Sequence, residues 1–588
     1  MQPFDLTTLR AVQQDLVSQW LPARIETVQQ IDLWTLCLCL RTLQTRRWLL
    51  LSWHPQAGRI HLCQPPPKAP DPFQFSQSIG RQLKGLALTE VRLVDPWERV
   101  LDLHFAPRPG DPPRWHFYLE IMGRYSNGVV VEATSGDIYA CGHGVSERQS
   151  SVRPVQPGLS YQLPPPLTDP VPKLEESFVS WQERVALIPD QLERRLLKSY
   201  RGVSKTLTQS MLRQAGIPLQ SIVPEVSGSQ WQQLYAVWQD WLRMLQEGSF
   251  KPVLTPTGYS LLGWDPDPEQ PDPCSVHDLL DSYYSHHLNR ATFHQEHQRL
   301  AQKLKVWLQK LYQRRQGFQA TLDQSDKAEE AKQKADLLMA HLQAWQPGLT
   351  ELILPDFETG DPVRIPLEPE KNAIANAQAY YKKHRKQKRS RTAVWPLFQT
   401  TDQEIRYLEQ VESALWHLDV YHQPSDLQTL DQIRQELIQQ KYPLEAAGSE
   451  KTLPKVEELS PFRRYHSPSG YEIWVGRNNH QNDELTFKLA QEQDWWLHAQ
   501  EIPGSHVLLR LPPGDVAEDE DLQQAADLAA HFSRARHSEQ VPVVYTRPKH
   551  VRKPNRTPPG MVVYSQEKVI WAQPQKSALL SLLAQQEP

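Results

Sequence analysis

Two runs of apolar residues at alternating three- and four-residue spacing constrain this chain more than any other feature. Ala301, Leu304, Leu308, Leu311, Arg315, Phe318 and Leu322 form the first, and Leu408, Val411, Leu415 and Leu418 the second. Such spacing puts one apolar stripe on a helix and makes a seam for a partner helix. Between the runs, residues 346–369 carry Pro and Gly around two strand-like pieces, 351–354 and 363–367. A helix out, a small tip and a helix back predict a long antiparallel coiled coil, with a first arm over 281–346, a tip over 347–370 and a second arm over 371–445. About 55 residues per arm at 1.5 Å rise reach on the order of 80 Å. A compact helical bundle satisfies the same spacing.

The flanking sequence reads as α+β at both ends. From residue 25 to 131 short β-branched or aromatic runs at 32–41, 47–53, 59–63, 90–105, 116–121 and 129–132 alternate with turn signals, which predicts an α+β domain over 1–172. Its end, 150–172, holds seven prolines and reads as a linker. The next domain is expected over 173–280 and reads as helical from 174 to about 246, with breaks at 200–204 and 216–218. A helix, a Gly turn and a helix over 207–215 give a helix-hairpin-helix outline. In that reading Gly202, Ser204 and Lys205 hold a phosphate through turn amides and a helix N-terminus; an ordinary helical hairpin has the same outline. A polar stretch after Tyr442 leads to a second α+β domain, 446–588, whose structured part is 462–573. The fold class is therefore multi-domain α+β.

The chain has 64 Lys+Arg against 68 Asp+Glu, a net charge of -4, so any basic surface is local. One such surface is 382–391, where Lys382, Lys383, Arg385, Lys386, Lys388, Arg389 and Arg391 occur without an acid, beside Tyr380 and Tyr381. Seven like charges repel unless an anion relieves them, and the tyrosines offer stacking surfaces, which points to RNA or phosphate; a merely solvated helix face has the same composition. A second stretch, Arg547, Lys549, His550, Arg552, Lys553 and Arg556, is kept extended by prolines, so that successive side chains can follow a backbone of phosphates; a soluble connection has the same composition, and the acidic run 518–521 balances it. No G-x-G-x-x-G, Walker A, H-E-x-x-H or G-x-S-x-G occurs. His286, His287, His294 and His297 lie at helical spacing without a carboxylate or Cys to complete a metal site. The cysteines, Cys37, Cys39, Cys63, Cys141 and Cys274, form no C-x-x-C pair, and no apolar run approaches the roughly 18 residues of a membrane span. The residues thus describe a reduced, intracellular, multi-domain binding protein rather than an enzyme, without metal or cofactor.

Several strings together resemble a known family. Glu120-Ile121-Met122-Gly123-Arg124-Tyr125-Ser126-Asn127 is similar to the E-L-M-G-R-x-S-N signature of the NFACT N-terminal domain, and 51–55 with 59–62 resemble the strands before it. The strings 469–483, containing Arg477, Asn478 and Asn479, 494–499 and 502–507 resemble the NFACT RNA-binding domain. The order of elements matches the RqcH / NEMF / fibronectin-binding protein A family, bacterial type, over nearly the whole chain.

This resemblance implies a cytoplasmic ribosome-associated quality-control factor with an NFACT-N-like domain at 1–172 and an NFACT-R-like domain at 446–588. Its implied partners are the large ribosomal subunit, peptidyl-tRNA obstructing it, and charged tRNA, alanyl-tRNA in bacterial members, used for template-free C-terminal tailing of stalled chains. An Asp-Arg pair serves tRNA recruitment in the family. It aligns with Glu98-Arg99, a carboxylate one methylene longer, and the resemblance adds Arg124, Ser126 and Asn127 to the tRNA side. The family's opening F-D-G reads Phe4-Asp5-Leu6 here. Two other readings remain: a fibronectin-binding surface adhesin, as some relatives are named, and a DNA-glycosylase-like enzyme, which needs an N-terminal proline nucleophile where this chain has Gln2.

Overall fold

Short β-rich runs separated by turns build a nine-stranded antiparallel sheet in the N-terminal part of the chain. The computed structural model describes residues 1–66, 71–150, 152–255, 258–264, 275–444, 462–555 and 557–576; Cys274, Arg556 and the polar stretch 445–461 lie outside them. After α1 (Leu6–Asp15) come β1 (Ala23–Asp32), β2 (Thr35–Arg41), β3 (Arg46–Ser52) and β4 (Arg59–Cys63), then α2 (Gln74–Leu83). There follow β5 (Ala87–Leu93), β6 (Val100–Ala106), β7 (Trp115–Glu120), β8 (Asn127–Glu132) and β9 (Ile138–Cys141). The spatial order is β4-β3-β2-β1-β5-β6-β7-β8-β9. Alternate residues point inward, so Leu36, Leu38 and Leu40 of β2 and Leu101, Leu103 and Phe105 of β6 pack with Leu9 and Val12 of α1, and with Leu16 just after it, in one core.

Two expectations change here. The single strand expected over 90–105 is a hairpin, β5 and β6, because Pro96 has no N–H to give a ladder. Asp95 Oδ1 instead accepts from Trp97 N at 2.7 Å, and Val94 N donates to Val100 O at 3.0 Å to close the loop. The proline-rich linker is strapped to the sheet: Val145 bridges Val155 and Asp137 bridges Ser160. Arg153 Nη1 and Tyr161 OH donate to the buried Glu120 carboxylate at 3.0 and 2.8 Å.

Four helices, α3 (Phe178–Ala186), α4 (Leu192–Ser199), α5 (Lys205–Gln214) and α6 (Gly228–Glu247), enclose a second core rich in tryptophan, with Trp181, Trp231, Trp238 and Trp241 buried. They belong, with the hairpin of β10 (Val253–Thr255) and β11 (Gly258–Ser260), to the same compact unit as the sheet, residues 1–289. The start of α7 (Val276–Asp326) joins the sheet core through Leu279, Leu280 and Tyr284.

The second unit begins at Arg290. It holds the rest of α7, α8 (Ala328–Ala340), the hairpin of β12 (Glu351–Pro355) and β13 (Pro362–Pro366), α9 (Ala373–Trp416) and α10 (Pro424–Gln439). Contacts between α7 and α9 descend on one helix as they ascend on the other. His297 Nε2 meets Leu415 O at 3.0 Å, Arg315 meets Asp402 at 3.0 Å, and Gln387 Nε2 donates to Gln324 O at 2.9 Å. The two helices therefore run antiparallel, with Leu304, Leu308 and Leu311 buried on one and Leu408, Val411 and Leu415 on the other. At 44 residues, α9 is about 66 Å long.

The C-terminal sheet has six strands in the order β14-β15-β17-β16-β18-β21. They are β14 (Arg463–His466), β15 (Glu472–Val475), β16 (Trp495–Ala499), β17 (Val507–Leu509), β18 (Val541–Thr546) and β21 (Lys568–Ala572); β19 (Val551–Arg552) and β20 (Val563–Tyr564) pair separately. Between β15 and β16 lies α11 (Asn479–Glu484), and α12 (Asp519–His531) covers the sheet with Ala525, Leu528 and Ala529. The acidic run expected only to balance charge has a local purpose. Glu518 caps α12 and Asp519, Glu520 and Asp521 fill its first turn, where carboxylates favour the helix dipole.

Candidate nucleic-acid interface

The cationic run lies wholly on α9, whose start is fixed by Asn372 accepting from Ala375 N at 2.8 Å. Helical spacing sorts it into two faces. His384 turns inward and lies 3.6 Å from Glu329, and Gln387 meets α7, while Lys382, Lys383, Arg385, Lys386, Lys388, Arg389 and Arg391 are all exposed. Arg391 lies 3.2 Å from Asp326; the other six have no ion pair among the described residues. Tyr380 and Tyr381, expected as stacking surfaces, use their hydroxyls within the protein: Tyr380 donates to Pro366 O at 2.6 Å and Tyr381 to Asp336. The exposed aromatic surface is further along, where the Trp395 and Phe398 rings stack at 5.9 Å and 13° and Trp395 is 48% exposed. Aromatics three apart on a helix beside a cationic run were the signal for it.

The second cationic stretch divides. Arg547 stacks over Trp495, 3.6 Å from the ring centroid, and donates to Asp494 O at 3.2 Å. Lys553 pairs with Asp483. Lys549 and Arg552 are exposed. Arg477, Asn478 and Asn479 are buried, and the structure places them inside a contact with α10 rather than on a surface. Arg477 pairs with Asp426, Asn478 Nδ2 donates to Gln432 Oε1 at 2.7 Å, and Asn479 Nδ2 donates to Glu436 Oε1 at 2.9 Å. Asn478 also caps α11, accepting from Gln481 N at 2.9 Å.

In the first unit the hairpin turn meets the chain's beginning. Ser204 caps α5, accepting from Leu207 N at 3.0 Å, and its hydroxyl donates to Asp5 Oδ2 at 2.7 Å; Asp5 in turn caps α1 through Thr8 N at 2.9 Å. The anion at the phosphate-like turn is thus the protein's own Asp5. Gly202 has φ +73°, and a Cβ there would lie 2.5 Å from Leu6 Cδ2 and 2.8 Å from Trp97 Cε3, so this turn is also where the β5–β6 loop rests. Lys205 is exposed, 3.7 Å from Glu193. Glu98 accepts from Leu167 N at 3.1 Å and lies 3.8 Å from Arg201, and Arg99 Nη1 donates to Phe4 O at 3.5 Å. Glu98 and Arg99 are each half-buried.

Of the signature residues, Arg124 is exposed over the Tyr125 ring at 4.7 Å. Ser126 and Asn127 are buried and tie the turn: Met122 N donates to Ser126 Oγ at 2.9 Å, and Asn127 exchanges bonds of 2.8 and 2.9 Å with the His143 backbone.

Sequence reasoning missed one cluster altogether. Asp102, His104 and His116 gather on the face of β6 and β7 that points away from the apolar core. Burial pushes the Asp102 carboxyl up, but hydrogen bonds from His104 and His116 outweigh it and hold the group well below the usual carboxylate range. An Asp-x-His on one strand with a His on the next was its signal, and it reads only once strand register is known.

The description "NFACT N-terminal and middle domains" matches residues 5–454, and "NFACT protein RNA binding domain" matches 461–566. The chain belongs to the NFACT family. It is 30% identical over 546 residues to the Rqc2 homolog RqcH of Bacillus subtilis, covering 91% of each chain, and 29% identical over 587 residues to that of Streptococcus pneumoniae, covering 98% of this chain and 99% of the relative. The solved C-terminal structure of the fibronectin/fibrinogen-binding protein from Streptococcus suis is 30% identical, covering 49% of this chain and 98% of its own, with a TM-score of 0.37. No helix among the described residues is long and apolar enough to cross a membrane.

Proposed function

We propose that this protein is a cytoplasmic ribosome-associated quality-control factor that binds large ribosomal subunits obstructed by peptidyl-tRNA. It recruits charged tRNA, alanyl-tRNA in this reading, for template-free tailing of the stalled chain, and the peptide-bond chemistry belongs to the ribosome. The observation that carries the proposal is the family match, continuous and in order through both NFACT regions, with RqcH relatives matched over nearly their full length. In this reading α7 and α9 are the arms of an antiparallel coiled coil, with β12–β13 as its tip, and α4–α5 is a helix-hairpin-helix.

The exposed cations of α9, together with Lys205, Lys549 and Arg552, support RNA-backbone contacts, since charged surfaces read phosphate rather than sequence. Arg99, Glu98 and Arg124 form the tRNA side. Ser126, Asn127, Gly202 and Ser204 shape that side from beneath, and Arg477, Asn478, Asn479, Arg547 and Lys553 hold the C-terminal RNA-binding domain in form.

Co-sedimentation tests the proposal: tagged protein at moderate salt enriches large subunits carrying peptidyl-tRNA, and failure to enrich them refutes it. Arg99→Ala is expected to lose co-purified tRNA and keep subunit binding; equal loss of both removes Arg99 from the tRNA side.

A further inference from the structure

Asp102 and His104 are two residues apart on β6 and so share a face, and His116 stands opposite His104 on β7 with the rings 4.5 Å apart. Asp102 Oδ1 is 2.8 Å from His116 Nδ1, and Asp102 Oδ2 is 2.9 Å from His104 Nε2. His104 Nδ1 lies 3.0 Å from Glu90 Oε2, its cross-strand neighbour on β5. A neutral imidazole has one donor nitrogen and one acceptor. If Nδ1–H donates to Glu90, the Nε2 lone pair faces a carboxylate oxygen at 2.9 Å, and only a positive species between them makes that contact favourable.

We propose that Asp102, His104 and His116 bind a divalent transition metal of the zinc class, with Glu90 orienting His104 from behind. Two imidazole nitrogens and a carboxylate oxygen are a ligand set that zinc takes in three-ligand sites, where a water fills the fourth position. Metal-bound histidines characteristically donate their other N–H to a carboxylate, and Glu90 already stands in that place. Asp102 and His104 are buried, whereas Glu90 is 51% and Arg92 54% exposed at their side chains, so the cluster borders solvent along β5.

Arg92 Nη2 lies 3.1 Å from Asp102 Oδ2 and shares the carboxylate with the ion. With both imidazoles neutral, Asp102 and Glu90 against Arg92 leave one negative charge in excess, which favours a dication. Donors now within hydrogen-bond distance open to roughly 3.3 Å around a tetrahedral ion with bonds of about 2.0–2.1 Å, a change that side-chain rotation supplies. The bound ion pins β5, β6 and β7 together, and so braces the hairpin whose loop carries Glu98 and Arg99.

The test uses the full chain, stripped with a chelator and titrated with Zn²⁺ and, separately, with Co²⁺. Expected is one tight site per chain that shows the visible absorption of four-coordinate cobalt. His116→Gln and Asp102→Asn abolish that site, and Glu90→Gln keeps the stoichiometry with about 10- to 100-fold weaker binding. Because Asp102 is buried, its variant is judged only beside His116→Gln, whose circular dichroism should match the parent. A joint His286→Ala, His287→Ala variant retains the site. Absence of the cobalt signal from the parent, or an unchanged signal in His116→Gln, overturns the proposal and leaves a proton as the species held by the cluster.

Discussion

Replacing Glu436 by Gln isolates the pH dependence of the contact between α10 and the C-terminal domain. The Glu436 carboxylate is 1% exposed and accepts from Tyr407 OH and Asn479 Nδ2, each at 2.9 Å. Burial pushes its pKa up from 4.5 to about 7, against the opposing pull of those two hydrogen bonds. The folded state therefore holds the proton more tightly than the unfolded chain. Its stabilising contribution is complete below the unfolded value and is lost as pH rises through about 7. Across the whole window this is worth about 3 kcal/mol.

Histidines of the same unit act in the opposite direction. Burial lowers the pKa of His417, His480, His498, His506 and His531, so their contribution grows as pH rises toward the unfolded histidine value. Only the difference between parent and variant isolates Glu436. Gln keeps an Oε1 acceptor for Tyr407 and Asn479 and cannot ionise. Relative to the parent, Glu436→Gln is expected to gain about 2–3 kcal/mol between pH 5 and pH 8. Amide hydrogen exchange along α10 reads this locally, without requiring the whole chain to unfold as one unit. A difference between the two proteins that stays constant across that range refutes the reasoning.

Arg477→Ala leaves Asp426, 4% exposed at its side chain, as an unpaired buried charge and should cost roughly 3–5 kcal/mol, read by urea denaturation of the C-terminal part; an Asp426→Asn, Arg477→Met double variant, which keeps an acceptor for His422 N and Gln423 N, recovers most of it. Gly202→Ala meets both a left-handed φ and two side-chain atoms closer than 3.0 Å, and should cost roughly 1–3 kcal/mol, measured as a lowered thermal midpoint of the first unit. Replacing the seven exposed cations of 382–391 by Gln should leave circular dichroism unchanged and flatten the salt dependence of RNA binding, by about one in slope for each phosphate that is no longer neutralised. An unchanged slope makes that run a solvated helix face.

What was legible in the sequence depended on how far away each residue's partner lies. The seam residues Leu304, Leu308 and Leu311 carry their own periodicity, and the exposure of 382–391 follows from helix geometry, because inward positions 384 and 387 are not Lys or Arg. Strands such as β4 (Arg59–Cys63) were readable for the same local reason. Arg477, Asn478 and Asn479 look equally suited to RNA when read locally, yet their partners Asp426 and Glu436 lie 51 and 43 residues away. The link from Ser204 to Asp5 spans 199. No local pattern announces that an acid will arrive from a remote element, and that arrival decides whether a cation or amide faces solvent or becomes part of the core. The strings that carried the family resemblance contain both kinds. Asn127 and Asn479 are constrained by the packing they satisfy, while Arg124 is exposed and stacks only over its own neighbour Tyr125; Lys382, outside those strings, is exposed with no ion pair among the described residues. A residue whose charge the fold does not use is therefore the stronger candidate for an outside partner, which is why the exposed face of α9 outranks the signature asparagines as the surface to mutate first.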